Sequence, residues 1–348
     1  MNFNNKVRLI FSLLVLAGLA GCQPAGKSQG IDPASFYEGK KIKWIVPYSP
    51  GGGYDEYARL LSPYLRKYTG ARFDILNLPG AGGMRGANEL FDSPRDGLTI
   101  GLINGSALVT NELAGVRGAI YKIGEFEFLG RIVADTHVLV VSELSGYDSF
   151  EQILGAEEEI KIGATGLGGS TYVDAIIIKE AFDLNLNIIH GFDSSSVLRQ
   201  SMLRGNIAGS WGSWGSAIDA VNDGRHIVVL QSGMERDADL PDVPTVFEMT
   251  EKSGDVARSM AILKAWESLN AVGRPVAAPP GTPADKIQLL RSAFKKAMHD
   301  PDFLSDVKQA GRAVSYASGE EMSDIVKNAT TMPYDIEQLF IKAITGEL

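Results

Sequence analysis

Apolar runs of strand length alternate with helix-period stretches along almost the whole chain, the mark of an α/β protein with mainly parallel sheets. "KIKWIVPYS" reads as a strand. "YDEYARLLSPYLRKYTG" reads as a helix in which Tyr57, Leu60, Leu61, Tyr64 and Leu65 share one face and Gly70 ends it. "RFDILNLP" and "GLTIGLING" are further strands, with the helix "MRGANELFDS" between them. After the strand "THVLVVSE" the cycle restarts: strand "IKIGATG", helix "STYVDAIIIKEAFD", strand "LNIIHG", helix "SSSVLRQSMLRG". "HIVVLQSG" is a later strand, "ARSMAILKAWESL" is helical in composition, and two more helices close the chain. No solenoid-type repeat is visible, but both halves run strand, glycine loop, helix.

Four bare stretches meet the ends of strands or the starts of helices: "PGGGYD" (Pro50–Asp55), "NLPGAGGM" (Asn77–Met84), "NGSA" (Asn104–Ala107) and "TGLGGST" (Thr165–Thr171). In an open α/β sheet the loops at the carboxyl ends of the strands line the ligand crevice. A helix's first turn presents unpaired N–H groups and about half a positive charge. Glycine permits close approach to that backbone. Together these features suit an anion such as a carboxylate or a phosphate, with no lysine required. For any single loop, a tight turn alone is the competing explanation, but it accounts poorly for all four at once. "GATGLGGST" lacks the lysine of a phosphate-binding loop, and no acidic ribose partner stands where a dinucleotide fold needs one, which argues against nucleotides.

The N-terminus changes the picture of where the protein works. Lys6 and Arg8 precede the apolar "LIFSLLVLAGLA", which is short for a spanning anchor, and small residues follow. The stretch closes as "LAGC", which resembles the lipobox of bacterial lipoproteins, in which the cysteine is acylated and becomes the first mature residue. The alternative is a secretory signal with a chance cysteine. Cys22 is the only cysteine in the chain, so no intramolecular disulfide can form. "QPAGKSQGIDPAS" then has the composition of a flexible tether. No later segment approaches the roughly 20 apolar residues of a transmembrane helix. The expectation is a signal peptide over 1–21, lipidation at Cys22, a tether over 22–38 and a soluble body in the periplasm or cell envelope. A net charge of −9 argues against nucleic acid as a partner but says nothing of a pocket's local field. The rest of this 348-residue chain exceeds one comfortable core and suggests two domains.

The order of these motifs resembles the TctC/Bug family, the extracytoplasmic solute receptors of tripartite tricarboxylate transporters. The family opens with a strand, a "P-x-x-P-G-G" element, an Asp and a helix, as in "VPYSPGGGYDEYARLL". It continues with "N-x-P-G-A-G-G", here "NLPGAGGMRGANEL", and "D-G-x-T-L", here "RDGLTIGL". "TGLGGSTY", "LPDVPTVFE" (Leu240–Glu248) and "APPGTPADKIQLLRSAFKKAMHDPDF" (Ala278–Phe303) extend the likeness over essentially the whole mature chain. The resemblance implies a two-lobed periplasmic-binding-protein fold, with lobe 1 over 39–140 and 262–348 and lobe 2 over 141–261. Hinge strands fall near Val138–Val141 and Arg274–Ala277. It implies a small carboxylate ligand, large and small integral membrane permease subunits as partners, a monomer, and no cofactor, metal or enzymatic activity. By position, the first-lobe site is Gly51, Gly52, Gly53, Tyr54 and Asp55, with Gly82, Gly83 and Asn104, Gly105, Ser106. The second-lobe site is Thr165, Gly168, Gly169, Ser170 and Thr171. The chain departs from the family where "P-Y-K-G" becomes "GFDS", placing Phe192 and Asp193 at the Tyr and Lys positions, and in "IAGSWGSWGS", with Trp211 and Trp214. An aromatic that usually precedes the last Pro-Gly element is also replaced around Gly273, Arg274 and Pro275. Phe192, Asp193 and Trp211 therefore join the candidate site.

Several residues admit two readings. Trp211 and Trp214 are core by default, yet their glycine neighbours would suit a cleft wall. Arg85 and Arg274 could clamp a carboxylate bidentately or be solvated. His137 could face the cleft or be a satisfied half-buried histidine. The four histidines show no metal-ligand spacing. Ser170 lacks the "G-x-S-x-G" elbow of a serine hydrolase and serves a helix start instead. A solute sensor for a signalling membrane protein is the alternative function, and a serine hydrolase a further one.

Overall fold

The computed structural model describes residues 36–134, 136–167, 169–345 and 347. The expected signal peptide, Cys22, most of the tether, and Gly168 lie outside the described residues. In chain order the first elements are β1 (Lys41–Val46), α1 (Gly53–Thr69), β2 (Arg72–Asn77), α2 (Met84–Phe91), β3 (Thr99–Leu102), α3 (Gly105–Leu113) and β4 (Glu127–Arg131). Next come β5 (His137–Ser142), α4 (Phe150–Leu154), β6 (Ile160–Gly163), α5 (Ser170–Phe182), β7 (Leu186–Ile189) and α6 (Ser195–Leu203). β8 (Gly209–Ser213), α7 (Trp214–Asn222), β9 (His226–Gln231) and α8 (Val256–Asn270) follow. The chain ends with β10 (Pro275–Ala278), α9 (Ala284–Met298), α10 (Pro301–Gln309), β11 (Ala317–Ser318), α11 (Gly319–Ala329) and α12 (Tyr334–Thr345).

The strands form two sheets, one in the order β11-β4-β10-β3-β1-β2 and one in the order β7-β6-β8-β5-β9. β1 embeds Ile42 and Trp44 completely, and α1 lays Tyr57, Ala58, Leu61 and Leu65 over the same face. That stripe at one and four residues is what its sequence pattern requires. α1 stops where Gly70 turns left-handed (φ 70°) and its N–H bonds the Arg66 carbonyl.

Each sheet is mixed rather than mainly parallel. β1 pairs in parallel with β2 and β3, but β10 runs antiparallel to β3 and β4. β6 pairs in parallel with β7 and β8, but β5 runs antiparallel to β8 and β9. The reason is connectivity. Parallel neighbours are joined by crossover units, whereas β5 and β10 each arrive by a passage from the other side rather than by a crossover from the strands they join.

Those passages are residues 132–136, from β4 to β5, and 271–274, from α8 to β10. They lie side by side: Ile132 N–H donates to the Arg274 carbonyl at 3.1 Å and Arg274 N–H to the Val133 carbonyl at 2.9 Å. Gly273 sits at φ +62°, and a Cβ there would lie 2.2 Å from the Val133 oxygen. The expected boundary at 140/141 falls inside β5, which pairs within the second sheet from His137 to Ser142, and the one at 261/262 falls inside α8.

A cavity where five helices begin

Between the sheets lies a cleft whose empty space, counted together with the open solvent at its mouth, is about 630 Å³. The first sheet contributes Tyr48 after β1, Gly52, Gly53 and Tyr54 at the start of α1, and Asn104 and Ser106 at the start of α3. The second contributes His137 on β5, Thr165, Ser170 and Thr171 around the start of α5, and Ser194 and Ser195 at the start of α6. Gly212, Ser213 and Ser216 line it where β8 runs into α7, and Asn270, Gly273 and Arg274 line it beside the return passage. Five helices thus start at this cavity. Three already carry side-chain caps: Asn104 on α3, Ser194 on α6 and Ser213 on α7. α1 and α5 have glycine N-caps, Gly52 and Gly169, with no side-chain cap. Their first-turn N–H groups therefore have no side-chain cap, an arrangement that suits an anion.

Arg274 adds a charge. Its side chain is buried, with 3% of the residue exposed, and its guanidinium lies 4.6 Å from the Tyr54 ring centroid and 4.9 Å from that of Tyr57. It donates to the hydroxyls of Ser213 and, at 3.4 Å, Ser216. A Cβ on Gly53 would lie 2.9 Å from Arg274 Nη1 and 2.1 Å from Ser216 Oγ, so the guanidinium sits against the first residue of α1. Helix dipole and arginine therefore reinforce one another at one place.

A hydrogen-bond chain joins the two sides. Tyr48 donates its hydroxyl to the Gly82 carbonyl at 2.9 Å and accepts from Asn104 Nδ2 at 2.6 Å. Burial pushes its phenol up to about 12. Asn104 Nδ2 also donates to Ser170 Oγ across the cleft at 2.9 Å. Thr165 N–H donates to Thr171 Oγ1 at 2.8 Å, shaping the α5 loop. His137 Nδ1 lies 2.7 Å from Asp174 Oδ2, and Trp266 Nε1 donates to the other oxygen at 2.8 Å. With Asp174 ionised, Nδ1 of His137 is the donor in that pair.

Of the residues named from sequence, Gly52, Gly53, Tyr54, Asn104, Ser106, Thr165, Ser170 and Thr171 line the cavity. The others do different things. Gly51 N–H donates to Asp55 Oδ2 at 3.0 Å, and Asp55 also accepts from Arg59 Nε at 2.8 Å and Asn77 Nδ2 at 3.0 Å. Asp55 is a buried clamp under the glycine loop, not a ligand-facing acid. Burial pushes its carboxyl up, but those hydrogen bonds together outweigh burial and hold it below the usual carboxylate value.

The glycines are bare largely because protein occupies the space. A Cβ on Gly166 would lie 2.2 Å from the Gly82 nitrogen, and one on Gly169 3.0 Å from the Gly82 Cα. Gly105 abuts Val272, at 2.3 Å from such a Cβ, and Gly83 packs behind the Tyr48 hydroxyl. Asp193 is exposed and Phe192 packs toward Leu198 and Ile207, so neither lines the cavity; the serines just after them do. Trp211 is 1% exposed and stands edge-on to Trp266, ring centroids 5.6 Å apart, in the core. The strand period puts it opposite Ser210 and Gly212, which the glycine-rich sequence disguised. Trp214 is half-buried against the small core cluster that includes Val138 and Ala217. Arg85 is exposed and bonds the Pro79 carbonyl. Arg274, by contrast, is at the cavity, as is His137.

Tyr48, Ser194, Ser195, Ser213, Ser216 and Asn270 escaped the sequence reading. The only signal for the four serines was small hydroxylated residues at helix starts, in "SSSV" and "SWGS", and Tyr48 and Asn270 had none. Among the described residues no cluster of three or more His, Cys, Asp or Glu side chains could hold a metal, and no helix is long and apolar enough to cross a membrane.

Two sheets joined by paired short passages, with helix N-termini converging between them, define the two-lobed α/β class of periplasmic solute-binding proteins. Within it, the profile described as "Tripartite tricarboxylate transporter family receptor" matches residues 57–336, and the chain belongs to that family. It is 27% identical over 332 residues to the UPF0065 protein in the tcbD-tcbE intergenic region of Pseudomonas sp. (strain P51), covering 91% of this chain and 90% of that one. The structure of the periplasmic binding protein BugD superposes with a TM-score of 0.73 at 23% identity, covering 88% of this chain and 98% of that chain. MatC from Rhodopseudomonas palustris, with bound malate, gives 0.72 at 18% identity, covering 86% and 99%. These structural likenesses show the fold.

Proposed function

We propose that this receptor captures a small carboxylate between its lobes and delivers it to the large and small integral membrane subunits of a tripartite transporter. The observation that carries the reading is the convergence of two uncapped helix starts, α1 and α5, with the buried Arg274 on one cavity. First-turn amides and a guanidinium are the complement of a carboxylate. The malate bound in MatC supports the same class of ligand. The lobes are 36–133 with 272–348, and 137–270, turning about the paired passages. Because both lobes supply the site, ligand favours the closed arrangement by its differential affinity. Catalysis by Ser170 is disfavoured, since its hydroxyl is bonded to Asn104, an amide that donates a proton but cannot take one. Acylation of Cys22 would hold the receptor, as a monomer, at the membrane where the permease sits.

The test is a melting-shift screen of small carboxylates against their primary amides. A ligand at about 100 times its dissociation constant stabilises the protein by about 2.7 kcal/mol. Acids should raise the melting point and amides should not, and Arg274→Met should remove the shift. Equal shifts from acids and amides would overturn the reading.

A further inference from the structure

We infer that the solute is a hydroxylated monocarboxylate, an acid of the aldonic type, and that Asn270 is the residue that selects it. This rests on the carboxylate reading above and adds to it what the rest of the ligand must be. Asn270 is the last residue of α8, 3% exposed, and lines the cavity. Neither its Oδ1 nor its Nδ2 has a hydrogen-bond partner among the described residues. A buried amide left in this condition is costly unless the ligand completes it. An amide offers an acceptor and two donors, so its complement must both donate and accept. A hydroxyl does both. A second carboxylate only accepts, and would set its lone pairs against Oδ1 at the C-terminal, negative end of α8.

The surrounding wall points the same way. Ser194, Ser195, Ser213 and Ser216 line the side formed by α6 and α7, and both of those helix starts are already capped from within. That side therefore offers hydroxyl groups rather than open first-turn amides, with Ser213 and Ser216 also accepting from Arg274 and Ser194 paired with Ser196. Among the described lining residues, Arg274 is the one permanently charged side chain, and it lies against the first residue of α1. One permanent positive charge suits one carboxylate, and it stands where the start of α1 meets the Ser213 and Ser216 hydroxyls; the other polar lining groups, Asn270 among them, carry no permanent charge.

The experiment is competitive calorimetry on the protein with chain-matched probes. Threonate and erythronate are set against succinate and butyrate, gluconate and galactonate against adipate and hexanoate, and erythritol and glucitol serve as uncharged controls. At least one hydroxy acid should bind roughly 100-fold tighter than the diacid and the plain acid of its length, because a site built to bond a hydroxyl rejects analogues lacking it strongly. Asn270→Leu, of similar size, should cut that preference at least tenfold. Should this variant fail to fold, the wild-type ranking alone decides. Diacids or plain acids binding as well as the hydroxy acids would overturn this inference and leave the carboxylate reading standing. Alditols binding as tightly as their acids, or no acid binding at all, would overturn both.

Discussion

Replacing Gly166 by alanine should jam the receptor open. Gly166 is in the loop before α5, at a backbone conformation that accepts alanine, yet a Cβ there would meet the Gly82 nitrogen at 2.2 Å, its Cα at 2.9 Å and the Ala81 carbonyl carbon at 3.1 Å. All three are backbone atoms from the other lobe, so no side-chain rotation relieves the clash. Ordinary contact begins at 3.4 Å, so the loops must part by 3.4 − 2.2, or 1.2 Å. The same separation would stretch the Asn104–Ser170 bond from 2.9 Å to beyond hydrogen-bonding range. Overpacking costs about 1–3 kcal/mol and the lost bond about 1 kcal/mol, together weakening closure-dependent binding roughly 30- to 700-fold. Each lobe should still fold, leaving the ligand-free melting point near wild type. The assay is calorimetric titration with the tightest acid from the screen, with small-angle scattering to report closure. Gly124→Ala is the control, since nothing lies within 4 Å of that Cβ. Wild-type affinity and a closed envelope in Gly166→Ala would refute the claim that contact between the glycine loops is part of closure.

Asp55→Asn should destabilise the protein by about 1–2 kcal/mol at neutral pH, because one of the donors from Gly51, Arg59 and Asn77 then faces an amide nitrogen. The folded-state pKa of Asp55 is lowered, so its contribution is present above the unfolded value and lost as pH falls through the folded one. The gap between wild type and variant in denaturant melts should therefore close in acid, and a gap constant with pH would show that the carboxylate is not the source. Trp211→Ala should cost roughly 3–5 kcal/mol while leaving the ranking of ligands unchanged; altered ranking with unchanged stability would place this indole in the site. Cys22→Ser should move the protein from the membrane to the soluble fraction of the cell envelope, and an unmodified Cys22 found by mass spectrometry in membranes would contradict acylation.

The strand and helix order was legible because it rests on periodicity. α1 carries its apolar stripe in seventeen consecutive residues and its left-handed glycine stop in the next, and no tertiary partner is needed to see them. Of the first-lobe residues named from sequence, Gly52, Gly53, Tyr54, Asn104 and Ser106 line the cavity, and their loops could be found because each follows a readable strand. What a bare glycine faces was not legible. Gly53, Gly166 and Gly169 are met by Ser216 and Gly82, partners 84 to 163 residues away in sequence, so the same motif that suits an anion also suits a second loop. Arg274 and Asn270 reach the cavity only because the return passage lies beside residues 132–133, a tertiary fact without local signal. Trp211 misled because a strand and an irregular cleft wall look alike when glycine and serine fill the alternate positions. The mixed pairing of the sheets follows from the chain crossing between them twice, which apolar runs do not encode.

The central claim is that a carboxylate binds where α1 and α5 begin, beside Arg274. A crystal structure of the protein with the tightest acid from the screen tests it most directly. The account predicts carboxylate oxygens within about 2.7–3.2 Å of first-turn backbone nitrogens of α1 and α5, with the Arg274 guanidinium alongside. A carboxylate lodged away from Arg274 and from those first turns, or outside this cavity, would contradict it.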